Sequence, residues 1–132
     1  MATGIIVTDK GRIVALNRTF KSVPDYTTMS VFKVGTGTNT PTLLDTDLQT
    51  AITIAGNPTK AFAAGYPTLD ETTNQCTIRC VLETTECNGS SLSEFGLFNT
   101  DGTAKMHSRA VFTPITKTAT VQVIFVERDR II

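Results

Sequence analysis

Apolar and polar residues alternate most regularly in the C-terminal half of the chain. Cys76, Ile78, Cys80 and Leu82 interleave with Thr77, Arg79, Val81 and Glu83, the period of two expected of a half-buried antiparallel strand. Asn88-Gly89 and Asp101-Gly102 are turn dipeptides, and Ser91–Asn99 between them reads as a second strand. Ala104–Thr113 reads as a third. It places Met106, Ala110 and Phe112 on one face and Lys105, His107 and Arg109 on a polar face, until Pro114 breaks it. In a fourth, Thr118, Thr120 and Gln122 alternate with Ala119, Val121, Val123 and Phe125, and charges begin at Glu127. Together these segments predict a four-strand antiparallel meander. Its core is expected to hold Ile78, Cys80, Leu82, Phe95, Leu97, Phe98, Phe112, Val121, Val123 and Phe125.

The N-terminal half is patterned differently. After the β-branched trio Ile5-Ile6-Val7, Thr8 and Asp9 offer a helix cap. Ile13, Val14, Leu16 and Asn17 then follow at helical spacing and predict a short helix over 9–19. Gly11 lowers the stability of such a helix by up to ~1 kcal/mol relative to Ala. Ser22-Val-Pro-Asp25 makes a loop. Thr28–Val34 predicts a strand and Gly35–Pro41 a loop, while Leu44 and Leu48 suggest a helical turn over 43–48. Ala51–Ile54 predicts a short strand. Gly56, Pro58, Gly65 and Pro67 fit turns between short edge strands over 55–75. The chain therefore reads as one mainly β domain over 1–132: an antiparallel β-sandwich or jelly-roll-like sheet pair with one short N-terminal helix.

Composition narrows the functional classes. The 132 residues carry twelve Lys+Arg against twelve Asp+Glu. Phosphate binding needs surplus positive charge, so nucleic acid is not the expected partner. No apolar run approaches the ~20 residues of a membrane helix, and no signal peptide is read at the N-terminus. Thr accounts for 25 residues, which suits pleated, half-solvated surfaces that meet neighbours.

Candidate chemistry is sparse. With His107 as the single histidine, a His-based metal site is not expected within one chain. Its polar neighbours predict a solvated surface side chain. Cys76 and Cys80 sit on one predicted strand face, ~13 Å apart, too far for a disulfide. A zinc knuckle from Cys76, Cys80 and Cys87 would need His107 as its fourth ligand and lacks a Cys-x-x-Cys pair. Reduced structural thiols are the expectation. Glu94 and Arg109, on adjacent strands, predict a cross-strand ion pair. Gly35-Thr-Gly37 follows a strand but lacks the third glycine and the helix of a dinucleotide loop. A hydrolase would require a cleft joining Glu94, His107 and a cysteine. No catalytic, cofactor-binding or metal-ligating residue is assigned, and no cofactor is expected.

Several stretches resemble phage tail-collar fibre proteins and related small virion proteins. Ile5–Asn17 is similar to the threonine-capped helix that opens those chains, and Phe32-Lys-Val-Gly-Thr-Gly-Thr38 to their Gly-x-Gly strand and loop, with Thr36 where an acidic residue is usual. Leu92–Gly102 resembles the Gly-Leu-Phe strand and Asp-Gly turn of the family, and Arg109–Lys117 the segment that follows. Tail fibres continue into a shaft and tip, whereas this sequence stops at Ile132. The resemblance implies a non-enzymatic virion structural protein, assembled in the bacterial host cytoplasm and homo-oligomeric, most simply trimeric. It would act as a collar, baseplate or fibre-like adaptor or attachment module. A capsid decoration (cement) protein is the first alternative. A receptor- or carbohydrate-binding head using loops 35–41 and 86–90 is the second. The charged, then apolar, segment 127–132 is expected to lie against a neighbouring subunit or another virion protein.

Overall fold

A computed structural model describes residues 4–130. Nine strands and one helix follow in the order β1 (Gly4–Val7), α1 (Asp9–Phe20), β2 (Val31–Gly35), β3 (Ala51–Ile52), β4 (Lys60–Ala61), β5 (Thr68–Asp70), β6 (Gln75–Leu82), β7 (Ser91–Phe98), β8 (Met106–Thr116) and β9 (Val123–Arg130). The strands form two antiparallel sheets. One runs β1-β8-β7-β2-β3, with β4 also paired to β2; the other runs β5-β6-β9. The expected mainly β, sandwich-like architecture with an N-terminal helix is what the chain adopts.

The sheets meet through apolar rows. In the smaller sheet Cys80 pairs with Phe125 and Leu82 with Val123, so one face presents a continuous apolar strip. In the larger sheet Phe32 pairs with Leu97 and Val34 with Phe95. Phe95 stacks on Phe125 with centroids 4.6 Å apart, and Phe112 tilts against the same ring at 5.5 Å. Offset aromatic contacts of this kind add to the free energy of burial itself. Of the ten expected core residues, eight are buried, and Phe112 and Val121 are half-buried against them.

Five expectations are corrected. The C-terminal half is not a meander: β6 pairs with β5 and β9, whereas β7 and β8 form a hairpin in the other sheet. The segment 83–90 crosses between the sheets. Its Gly89 takes a left-handed φ of 87°, and its amide donates to the Lys117 carbonyl. Phe98 lies in a separate cluster with Leu48 and Met106, because irregular pairing near it and the alternation of β7 turn it to the opposite face. Segment 43–48 makes turns without a helix, and β3 is only two residues long. Finally, β8 continues through Pro114 to Thr116.

Helix α1 begins at Thr8 as expected. The Thr8 hydroxyl accepts from the Gly11 amide at 3.1 Å and donates to the Met106 carbonyl at 2.6 Å. The Thr8 amide also donates to the His107 carbonyl at 2.9 Å. Gly11 is required by this docking: a Cβ there would lie 2.5 Å from the His107 carbonyl oxygen. The helix turns only Gly11 and Val14 toward the sheet and leaves Ile13, Leu16 and Phe20 in solvent.

The Phe95–Phe125 stack is the centre of the sheet-to-sheet contact. Phe95→Ala should cost about 3–5 kcal/mol, the loss expected for a buried aromatic truncated in a packed core. Denaturant titration of parent and variant measures it, and a loss under about 1 kcal/mol would place the core elsewhere.

Candidate functional site

Two buried polar clusters depend on β8. The first joins β7, β8 and the loop 36–50. Glu94 and Arg109 are fully buried, and their contact at 3.0 Å is the cross-strand pair expected from the sequence. The Glu94 carboxylate accepts from the backbone amides of Gly37 (2.8 Å), Gln49 (2.9 Å) and Thr50 (2.8 Å), and from Arg109 Nε (3.0 Å). Arg109 reaches on to Asp45 at 3.1 Å and Asn39 at 2.5 Å. Four donors on one carboxylate compensate its removal from water.

This cluster explains the glycines of the Gly35-Thr-Gly37 loop. A Cβ at Gly37 would lie 2.4 Å from Glu94 Oε2, and one at Gly35 2.6 Å from the same atom. The loop thus cradles an internal carboxylate. Arg109 was expected on a solvated face and is instead buried, because the loop 36–50 covers that side of the strand.

The second cluster lies at the seam between the two sheets. His107 comes from β8, and Glu127 and Asp129 come from one face of β9. His107 Nε2 is 2.6 Å from Asp129 Oδ2 and 3.6 Å from Glu127 Oε2. Ser108 Oγ donates to Glu127 Oε1 at 2.7 Å. Glu127 Oε2 is buried without a hydrogen-bond partner. Burial pushes the Glu127 carboxyl up to about 8, and the neighbouring Asp129 charge acts in the same direction. Burial is the largest single influence on Asp129 and acts to raise it, but the contacts with His107 and Glu127 together hold the carboxyl below its usual value. His107 is thus half-buried in a carboxylate pair, not the solvated side chain its strand position suggested. From the sequence the candidate companions of His107 were Glu94 and the cysteines; its partnership with Glu127 and Asp129 was not expected.

His107 and Asp129 line a groove of about 550 Å³ whose mouth also carries Asp70, Glu71 and Arg128. Cys76 faces the same groove, paired across the sheet with Asp129. All three cysteines are free. Burial, then the carboxylate charges, raises the Cys76 thiol, and Cys80 is pushed up to about 12. High thiol pKa values make poor nucleophiles. Glu94 does not line this groove and belongs to the Arg109 network, so the cleft that a hydrolase reading required is not assembled from that triad.

Segment 127–132 was expected to lie against a neighbouring subunit or another virion protein; within the chain its first part belongs to an edge strand. Residues 127–130 complete β9 against β6, and Glu127 turns into the protein. Ile131 and Ile132 lie outside the described residues. Comparison with protein-family models, curated proteins and solved structures finds no match to this chain.

Two outcomes follow for the Glu94 cluster. Glu94→Gln should destabilise the fold by about 3–5 kcal/mol, because it breaks a buried pair and turns an amide donor toward other donors. Chemical denaturation tests this, and a near-neutral variant would show that the network is dispensable. Acid should weaken the same region. Burial acts to raise the Asp45 carboxyl, but the Thr42 amide and hydroxyl, and then Arg109, hold it below 3.8. A depressed carboxylate contributes stability that is present above its unfolded pKa and lost as pH falls through the folded one. The melting temperature should therefore drop more steeply below about pH 4 in the parent than in Asp45→Asn.

Proposed function

We propose that the chain is a non-enzymatic phage virion structural protein that assembles as a homo-oligomer, most simply a trimer, and serves as a collar- or fibre-like adaptor or attachment module. The observation that carries this reading is a ridge of exposed apolar side chains on α1. Ile13 is 50% exposed, Leu16 55% and Phe20 78%, at positions i, i+3 and i+7, and Val23 in the loop after the helix is exposed as well. A helix docked on a sheet ordinarily hides such a stripe. Here Gly11 and Val14 make the sheet contact, and a second apolar face remains uncovered.

Strand β9 adds to the argument. It is an eight-residue edge of the smaller sheet, with Ile124 and Val126 exposed along it. Long edges with exposed apolar residues invite pairing with another chain. Assembly in a closed ring would satisfy both surfaces at once. Many copies on one particle would then convert modest contacts into firm attachment. The resemblance of Ile5–Asn17, Leu92–Gly102 and Arg109–Lys117 to tail-collar fibre proteins sets the proposed location at the tail. A receptor-binding role for loop 35–41 is less favoured, since that loop spends Gly37 on Glu94 and Asn39 on Arg109.

Light scattering on the purified chain should give three times the 14.2 kDa chain mass. Leu16→Glu with Phe20→Glu should shift the species to monomer while leaving the fold intact by circular dichroism. A monomeric parent at all accessible concentrations would overturn the reading. Immunogold labelling of particles then separates the two virion positions: label on the tail supports the adaptor, and label on the capsid supports the decoration alternative.

A further inference from the structure

We propose that His107, Glu127 and Asp129 form a binding site for a divalent transition-metal cation, which clasps the two sheets together at the seam beside the groove. The ligand atoms are already gathered. His107 Nε2 and one oxygen from each carboxylate lie within 4.8 Å of one another. A metal bound at ~2.0–2.2 Å to nitrogen and oxygen ligands holds those atoms about 3–3.5 Å apart. The distances of 2.6 and 3.6 Å from His107 Nε2 to the two carboxylates bracket that span. Small side-chain movements therefore suffice to seat an ion.

The second observation is Glu127 itself. Its side chain is only 2% exposed, and its Oε2 has no hydrogen-bond donor although it points toward His107. A buried carboxylate oxygen left without a donor is costly, and it is rare in a native protein unless an ion or water completes it. The other oxygen is fixed by Ser108, which orients the free one. Metal-ligating carboxylates commonly carry such an outer hydrogen bond. The two carboxylates would offset the charge of a divalent cation.

The donor set also selects the class of ion. One imidazole with two carboxylates suits zinc or a neighbouring first-row metal better than an all-oxygen site for magnesium or calcium. Cys76 stands outside this ligand set, so the site is not a thiolate knuckle. Asp129 and His107 line the groove, which gives the ion a path from solvent and leaves room for water in the remaining coordination positions. Because His107 belongs to β8 and the carboxylates to β9, an ion here ties one sheet to the other.

The test uses the full chain, stripped with a chelator and titrated with zinc chloride. Calorimetry should show saturable binding of one ion per chain. As His107 is the single histidine, ring nitrogen NMR reads the site without ambiguity, and zinc should shift Nε2 on the same titration. Cobalt substituted for zinc should give a spectrum without thiolate charge-transfer bands. Glu127→Gln should weaken zinc binding by at least about tenfold, because an amide is a poor replacement for a charged ligand. Absence of saturable binding, an unmoved His107 ring or thiolate bands would overturn the proposal. So would a folded Glu127→Gln protein that binds zinc like the parent. If that variant fails to fold, the His107 resonance of the parent decides alone. Zinc binding and subunit mass are read separately, so failure of this site would leave the assembly reading untouched.

Discussion

The buried contact between Glu94 and Arg109 is the constraint to which much of the larger sheet answers. Two charged side chains are fully withdrawn from water between strands and a covering loop. Their desolvation penalty is several kcal/mol per ion, and it must be compensated by geometry. Three backbone amides and a guanidinium converge on one carboxylate, and Asp45 and Asn39 complete the guanidinium. Loop 36–50 consequently has little freedom. Its amides must face inward at Gly37, Gln49 and Thr50, and its glycines must leave room for the carboxylate. A loop without a helix and with only a two-residue strand at its end is ordered by polar side chains, this pair together with Gln49 on the Thr38 and Asn39 amides and Asp45 on Thr42.

The same strand carries a contrasting site two residues away. Arg109 is surrounded by acceptors; His107 faces two carboxylates, and one oxygen between them has no donor. Glu94 and Glu127 are both buried acids, yet Glu94 receives four hydrogen bonds and Glu127 one. The difference follows from what packs above them. Glu94 lies under a loop that can turn its amides inward. Glu127 faces β8, from which the Ser108 hydroxyl reaches one oxygen and the His107 ring stands 3.6 Å from the other.

The parts of this architecture that were legible in the sequence share one property: they are local. The threonine cap of α1, the alternation of β6 and the hairpin of β7 and β8 each depend on residues close in the chain. The Glu94–Arg109 pair was legible because adjacency within a hairpin put the two side chains within reach. The meander was misread because turn dipeptides suggest pairing between consecutive strands, whereas β6 finds its partner some 45 residues on, at β9. Burial of Arg109 depends on a loop distant in sequence, and the company kept by His107 depends on the same long-range pairing. Glu127 was nevertheless within reach of the pattern. Val123, Phe125 and Glu127 follow the period of two, and continuing it one step past the apolar residues would have turned the carboxylate inward.

That last step matters for how the sandwich ends. An apolar row that ran on through position 127 would close the seam with hydrocarbon alone. Placing Glu127 opposite Ile78 ends the row with a charge-bearing group, next to a histidine supplied by the other sheet. Gly11 brings the helix onto the backbone of that same histidine, so His107 is held by α1 on one side and by Asp129 on the other. A residue fixed from both directions has little freedom to relieve an unsatisfied neighbour by moving away. The seam is therefore stiff in its backbone, and without a cation its buried Glu127 carboxyl is held in the protonated form well above the usual pH. In a small domain these two conditions favour filling the site from outside over rearranging it.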